Sequence, residues 1–146
     1  MSKPLSELEH RIGYQFKNDS LLKKALIHSS YANETSSKNP AIDCNERLEF
    51  LGDSILGMVV AEFLYKTFPD RPEGDLTRMR ADMVCEKSLA HIAEQLNLGR
   101  YLLLGNGEEL GGGRKRPSIL ADAVESVIAA CFLDGGMAAA ENFVKK

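Results

Sequence analysis

The stretch from 46 to 68 constrains the fold more than any other part of the chain. It is apolar on nearly every side of a helical wheel, and a helix of that kind belongs in a protein core. Pro69 and a Pro72-Glu73-Gly74 turn end it. Strand patterns are nearly absent elsewhere, and helical periodicity recurs from end to end. The sequence therefore predicts an all-α fold, and 146 residues are enough for one domain over 1–146.

Proline and glycine divide the rest of the chain. We expect a loop at 33–45, a helix from Asp75 to about position 97, and an irregular glycine-rich stretch at 101–116. A helix that starts at Ser118 should end at Gly135-Gly136, with a last helix from 137 onward. No internal repeat divides the chain, so one domain remains the expectation.

Composition limits the class of protein. Hydrophobic residues make up 44% and charged residues 27%, which is typical of a soluble globular domain. No apolar run approaches the roughly 20 residues needed to cross a bilayer, so no membrane is expected as a partner. The N-terminus lacks the apolar core of a signal peptide, and Cys44, Cys85 and Cys131 fit neither a disulfide framework nor a zinc pattern. These features predict a cytoplasmic protein with reduced thiols.

Three of the four acidic residues in the helix predicted at 46–68 lie close together in its first half. Glu46, Glu49 and Asp53 fall within about 60° of one another on a helical wheel. Arg47 is the only basic residue near them, and it points elsewhere on the wheel. The acids therefore form a stripe without a local counter-charge.

A second acidic pair lies in the helix predicted from 118. Asp122 and Glu125 share a face, and the range 117–144 contains no Lys, Arg or His. Small residues on the same face would let this helix approach another closely: Ser118, Ser126 and Ala129.

Bringing the two acidic stripes together needs a cation. Two carboxylates about 5 Å apart repel by roughly 3 kcal/mol at an effective dielectric near 20. A divalent ion relieves that repulsion, and ligation by oxygen alone selects Mg²⁺, with Mn²⁺ as a substitute. A solvated acidic helix face is the competing interpretation, and spacing alone names no substrate.

Other candidate sites are weaker. The glycines at 105–111 lack the spacing of a nucleotide-binding loop and indicate a connector. His28 is expected to be a hydrogen-bonded structural residue, and no cysteine has a histidine partner that would suggest thiol catalysis. The net charge of −3 argues only weakly against nucleic-acid binding. Basic residues are candidate RNA contacts at five positions: Arg78, Arg80, Arg114, Lys115 and Arg116.

The run Asn45-Glu46-Arg47-Leu48-Glu49-Phe50-Leu51-Gly52-Asp53-Ser54 resembles the signature of the ribonuclease III family. Further segments match that family in order and spacing: His28-Ser29-Ser30-Tyr31, Glu73-Gly74-Asp75-Leu76-Thr77-Arg78-Met79-Arg80, Ser118-Ile119-Leu120-Ala121-Asp122-Ala123-Val124-Glu125 and Leu133-Asp134-Gly135-Gly136. The resemblance implies a single helical ribonuclease III nuclease domain of the bacterial type. It also implies that the double-stranded-RNA-binding domain usual in the family lies outside this chain.

The resemblance assigns roles to individual residues. Four positions match the family's metal-binding and catalytic carboxylates: Glu49, Asp53, Asp122 and Glu125. Of these, Asp53 and Glu125 are expected to be catalytic. Glu46 and Glu73 match accessory acidic positions linked to RNA contact, metal or the dimer valley, and Phe50 matches an aromatic that inserts into the partner subunit.

The function implied by the resemblance is Mg²⁺-dependent endonucleolytic cleavage of double-stranded RNA by a homodimer. Products would carry 5′-phosphates and short 3′ overhangs, and substrates would include ribosomal RNA precursors. Two alternatives stay open on the sequence. One is a non-catalytic RNA-binding protein with the same fold, although such relatives are expected to lack some of the metal-binding acidic residues, and here all are present. The other is a helical phosphohydrolase of small phosphate esters, for which a His-Asp pair on a helix is missing.

Overall fold

The computed structural model describes residues 5–35 and 38–145, and within these ranges it contains eight α-helices. They are α1 (Leu5–Ile12), α2 (Asp19–Ala25), α3 (Ser29–Glu34), α4 (Glu46–Thr67), α5 (Glu73–Val84), α6 (Glu86–Leu96), α7 (Asn106–Leu110) and α8 (Pro117–Val144). No strand forms in these ranges, where a single bridge joins Ile27 to Leu103. The all-α prediction is confirmed. The N-terminal residues 1–4 and positions 36–37 of the predicted loop lie outside the described residues.

Helices α4 and α8 form the centre of the domain. They make the most extensive helix–helix contact in the described part of the chain, and α2 and α6 pack on other sides of α8. The core helix predicted at 46–68 is confirmed as α4. One of its sides nevertheless faces solvent, where Phe50, Met58 and Tyr65 are exposed. The expectation that this helix is buried all round is therefore wrong.

Helix α8 is long and apolar enough to cross a membrane by length and composition, contrary to the expectation that no stretch approaches that limit. Because 61% of its most apolar window is buried inside the protein, we interpret it as the core helix of the domain. Gly136, with φ 81° and ψ −174°, interrupts it. The break predicted at Gly135-Gly136 is therefore a kink at which a residue other than glycine would be strained.

The helix predicted from Asp75 to about position 97 is two helices. Cys85, at φ −69° and ψ 161°, is extended and separates α5 from α6. The N-cap position of α5 is Pro72 instead of Asp75. At the break, the Ser88 hydroxyl donates to the backbone carbonyl of Asp82 (2.8 Å). In a continuous helix this carbonyl would instead accept a hydrogen bond from a backbone N–H group of the next turn. The turn directs α6 onto α8.

The stretch at 101–116 is more regular than expected, since it includes α7 and a 3₁₀ turn at Gly113–Lys115. Arg114 holds it in place. Its guanidinium donates to the carbonyl oxygens of Gly99 (2.6 Å) and Leu102 (2.9 Å) and pairs with Glu109. A basic residue proposed for RNA contact is thus largely engaged within the domain.

Asp134 ties the loop after α1 to α8. Its carboxylate accepts hydrogen bonds from the Tyr14 hydroxyl (2.6 Å) and from the backbone N–H groups of Lys17 (2.8 Å) and Asn18 (2.9 Å). The bond to Asp134 is the main reason that the pKa of Tyr14 rises to about 12. This anchor lets α2 pack beside α8.

We expect Asp134→Ala to lower the free energy of unfolding by about 2–4 kcal/mol, because three donors lose one charged acceptor. Chemical denaturation measures the loss. Asp19→Ala is the matched control, since Asp19 only pairs with exposed Lys23 at 3.7 Å and should cost under about 1 kcal/mol. Equal losses in the two variants would contradict the anchoring role.

Candidate metal centre

The two acidic stripes converge where α4 crosses α8. Glu49 of α4 and Asp122 and Glu125 of α8 each offer a carboxylate oxygen, and these three oxygens lie within 4.8 Å of one another. Glu125 is buried, Glu49 is half-buried and Asp122 is exposed. The cluster therefore opens to solvent at Asp122 and is closed at Glu125.

Gly52 permits this close crossing. A Cβ atom built on Gly52 would lie 1.7 Å from the carbonyl oxygen of Glu125 and 2.5 Å from its carbonyl carbon. No side chain fits at those distances, so the backbones of α4 and α8 are in direct contact there. Of the small residues predicted on this face of α8, Ser126 and Ala129 are fully buried and Ser118 is half-buried.

Asp53 and Glu46 border the three-carboxylate cluster on the α4 side. Asp53 shares a hydrogen bond with the carboxyl group of Glu125 and is itself exposed. Glu46 is also exposed, and its charge acts on both Glu49 and Asp122. All four carboxylates expected from the resemblance thus lie together, with Glu46 beside them.

Two further residues near Asp122 complete the surroundings. Glu86, the first residue of α6, raises the pKa of Asp122, whereas His28 lowers it. Sequence analysis missed Glu86 because it assumed an uninterrupted helix at this point. His28 caps α3, where its Nδ1 accepts from the backbone N–H of Ser30 at 3.1 Å. Its hydrogen-bonded structural role agrees with the prediction.

Burial and mutual repulsion raise the pKa of three carboxyl groups in the cluster. Burial, the hydrogen bond with Asp53 and the charges of Asp53, Glu49 and Asp122 raise the pKa of Glu125 to about 8. Burial and neighbouring acids, with Asp122 first among them, also raise the pKa of Glu49. The pKa of Asp122 rises through partial burial of its carboxyl group and then through Glu86, although the residue as a whole remains exposed. A cation would remove much of this cost.

The donor set fits a hard divalent ion. The cluster offers carboxylate oxygens only, with neither histidine nor cysteine among its members. Oxygen ligands suit Mg²⁺ and Mn²⁺, whereas sulfur and imidazole would have favoured zinc or copper. The arrangement therefore fits the Mg²⁺ expected from the sequence, without distinguishing it from other hard cations.

We expect the metal-free protein to lose stability as pH rises from about 5 to 8. The folded-state pKa of Glu125 lies above its ordinary value of 4.5, so folding favours the protonated carboxyl, and this contribution disappears as pH rises through about 8. Denaturation in EDTA at several pH values measures the slope. Glu125→Gln should flatten it, because glutamine does not titrate, and equal slopes in both proteins would contradict the assignment.

The remaining predicted residues lie outside the carboxylate cluster. Glu73 is the first residue of α5 and is exposed, and nothing in the described part of the chain links it to the cluster. Arg78 pairs with Asp75 at 2.7 Å, and Arg116 pairs with Glu108 at 2.6 Å. Arg80 and Lys115 are exposed as well, and within the described ranges 5–35 and 38–145 no ion pair joins either of them to the carboxylate cluster.

Comparison with known proteins settles the family. A family profile described as ribonuclease-III-like matches residues 18–146. The chain belongs to the ribonuclease III family. Ribonuclease 3 of Caldanaerobacter subterraneus subsp. tengcongensis is 51% identical over 140 residues, which cover 96% of this chain and 60% of that protein. Ribonuclease 3 of Symbiobacterium thermophilum is 53% identical over 133 residues, covering 91% of this chain and 54% of that protein.

Solved structures of the ribonuclease III family share the fold. The nuclease domain of ribonuclease III from Campylobacter jejuni superposes with a TM-score of 0.87 at 44% identity, covering 96% of this chain and 92% of that one. That structure is described as showing flexibility in the region involved in dimer formation. The ribonuclease III resemblance and its helical nuclease-domain fold are thus confirmed, and the chain spans little more than half the length of the curated relatives above.

Proposed function

We propose that this chain is the catalytic part of a Mg²⁺-dependent endoribonuclease that cleaves double-stranded RNA, with Mn²⁺ as a possible substitute. The observation that carries the proposal is the convergence of Glu49, Asp122 and Glu125, with Asp53 beside them. A solvated acidic face would leave such residues apart and exposed. Here Glu125 is buried at a helix crossing, where its ionised form is stable only with a counter-charge.

Each carboxylate has a distinct task in this proposal. Glu49, Asp122 and Glu125 would hold the cation. When bound, Mg²⁺ supplies stabilisation of the negative charge that develops on the scissile phosphate. Glu125, whose pKa is raised to about 8, would release its proton to solvent on binding the cation, because the ion pairs the negative charge of the carboxylate. Asp53, which is exposed next to Glu125, would accept a proton from the attacking water.

The partner in this proposal is a second copy of the chain. Three apolar side chains on one side of α4 face solvent: Phe50 at 77%, Met58 at 52% and Tyr65 at 74% exposure. Monomeric proteins rarely expose several large apolar groups together, and such surfaces mark interfaces. Phe50 is adjacent to Glu49, so a twofold dimer through this stripe would place two carboxylate clusters on one duplex. Each cluster would then cut one strand.

The finer parts of the proposal concern substrate and products. A twofold pair of sites would give staggered cuts and therefore short overhangs, which we propose lie at the 3′ ends. Attack of water on the scissile phosphorus with the 3′-oxygen as leaving group would leave a 5′-phosphate on one product and a 3′-hydroxyl on the other. RNA would be selected over DNA by the A-form shape and the 2′-hydroxyl groups. Arg80 and Lys115 are the first phosphate contacts to test. Arg78 and Arg116 sit in surface ion pairs, which contribute under about 1 kcal/mol and can exchange for phosphate. Ribosomal RNA precursors in the cytoplasm are the proposed natural substrates.

The test is incubation with a long double-stranded RNA at low salt. We expect fragments with 5′-phosphates in Mg²⁺, none in EDTA, and none with Asp53→Asn. Glu62→Gln is the matched control, because Glu62 is an exposed acid of the same helix that pairs with Lys66. A folded dimer that binds Mn²⁺ but leaves RNA intact at high enzyme concentration would overturn the catalytic assignment in favour of a binding protein.

We expect Phe50→Ala to weaken dimerisation by about tenfold or more, because a central aromatic anchor contributes about 2 kcal/mol or more to an interface. Sedimentation velocity across a concentration series measures the change. Leu110→Ala serves as control, since Leu110 is an 89% exposed apolar residue on α7, away from α4. An unchanged profile for Phe50→Ala would rule out the proposed interface.

A further inference from the structure

A second contact point between α4 and α8 lies beside the carboxylate cluster and is polar. Asn45, just before α4, and Ser126, in the middle of α8, are both buried. The Ser126 hydroxyl lies 3.1 Å from the carbonyl oxygen of Asn45 and 2.9 Å from that of Asp122. Its single hydrogen is thus shared between the two helices. Gly52 sets the distance between the two helices. The Ser126 hydroxyl provides a second contact between them, at the start of α4.

The hydrogen bonds around Ser126 reach the backbones of two members of the cluster, Glu49 and Asp122. The Asn45 carbonyl that faces Ser126 also accepts the backbone N–H of Glu49 at 2.8 Å. The other carbonyl within reach of Ser126 belongs to Asp122, and Glu125 is the residue next to Ser126 in the chain. A continuous path therefore runs from the backbone of Glu49, through Asn45 and Ser126, to that of Asp122.

Asn45 is held on its other side as well. Its side-chain amide donates to the carbonyl of Ala25 at 3.0 Å, and its backbone N–H donates to the carbonyl of Ile27 at 2.8 Å. The start of α4 is thereby fixed to the end of α2. Ser126 therefore links α8 to Asn45, a residue that hydrogen bonds already fix in position, and not to a free helix end.

A serine in a helix often bonds to the carbonyl four residues earlier, and that bond alone indicates no function. Ser126 differs because its hydroxyl also reaches across to the other helix that carries the carboxylates. We propose that Ser126, through the Asn45 carbonyl, is a positioning residue that holds the register of α4 against α8 and so sets the affinity of the carboxylate cluster for a divalent cation. This inference rests on the proposed function only for its effect on cleavage.

Ser126→Ala tests the inference, with Mn²⁺ binding followed by electron paramagnetic resonance in the absence of RNA. We expect binding to weaken by about three- to tenfold, less than the roughly 10–100-fold typical of residues that bond a metal ligand directly, because Ser126 acts through the backbone. Ile12→Val is the matched control: Ile12 is a buried residue of α1, and its variant loses stability through packing alone. Its melting temperature should fall while its Mn²⁺ affinity stays that of the wild type.

Cleavage adds a second readout. Ser126→Ala should keep the KM for RNA, lose rate at low Mg²⁺ and recover the wild-type rate at high Mg²⁺. Wild-type Mn²⁺ affinity in Ser126→Ala would overturn the inference, as would equal weakening in Ile12→Val. Weakened binding in a chain that cleaves no RNA would support the positioning role while refuting the proposed function. A wild-type chain that binds no Mn²⁺ would overturn both.

Discussion

Replacing Glu125 with glutamine should reduce cleavage of double-stranded RNA by about three orders of magnitude or more. Glutamine keeps the size of the side chain and removes its negative charge at the buried end of the cluster. The remaining acids then hold a cation less tightly, and Asp53 loses the carboxyl group with which it shares a hydrogen bond. Single-turnover cleavage and direct Mn²⁺ binding measure the two effects separately.

The same variant should be at least as stable as the wild type in EDTA at pH 8, because folding no longer opposes ionisation of a buried acid. Loss of activity together with retained stability distinguishes a metal ligand from a structural residue. Glu141→Gln, in the same helix but beyond the kink at Gly136, is the control and should cleave normally. Glu125→Gln with wild-type activity would refute the metal centre.

The second large effect concerns Gly52. We expect Gly52→Ala to lower the free energy of unfolding by about 3 kcal/mol or more and to abolish Mn²⁺ binding. The added methyl would stand 1.7 Å from the Glu125 carbonyl oxygen, so the backbones of α4 and α8 have to separate. That separation removes core contacts and also moves Glu49 away from Asp122 and Glu125.

Gly57→Ala provides a matched control on the same helix. Apart from its neighbours in the chain and the backbone of its own helix, a Cβ atom at Gly57 would have no heavy atom within 4 Å. Alanine should therefore stabilise α4 by about 0.5–1 kcal/mol through its higher helix propensity. Thermal melts and Mn²⁺ titrations of both variants test the contrast. Similar behaviour of the two would show that the close crossing at Gly52 does not determine the site.

Helix spacing carried enough information to predict both acidic stripes. Residues three or four apart share a helical face, so Glu49 with Asp53 and Asp122 with Glu125 could be grouped from the sequence. The contact between the two stripes is a feature of the tertiary structure, and helical periodicity in the sequence does not predict it. Only the resemblance of the signature to a known family placed all four carboxylates in one site.

The predictions from the sequence that failed have physical causes. The chain breaks at Cys85 without a proline or glycine, because the extended residue is stabilised by local bonds such as that from Ser88 to Asp82. Glu86 was therefore placed in the middle of a helix, although it begins α6 near Asp122. The periodicity of α4 predicted core at exposed Met58, since a hydrophobic pattern does not distinguish a domain interior from an apolar surface. Only the family resemblance set Phe50 apart from the core.

The position of α8 along the chain has a consequence for biosynthesis. Helix α4 is complete at Thr67, whereas the helix that covers it extends to Val144. Translation proceeds at about 5–20 residues per second, so several seconds pass between synthesis of α4 and synthesis of all of α8. During that time the side of α4 that α8 covers in the folded domain is exposed. A nascent chain at that stage is prone to aggregation and a candidate for chaperone binding. It also lacks Asp122 and Glu125, so the growing polypeptide has no complete acidic cluster until the segment that closes its core has been made.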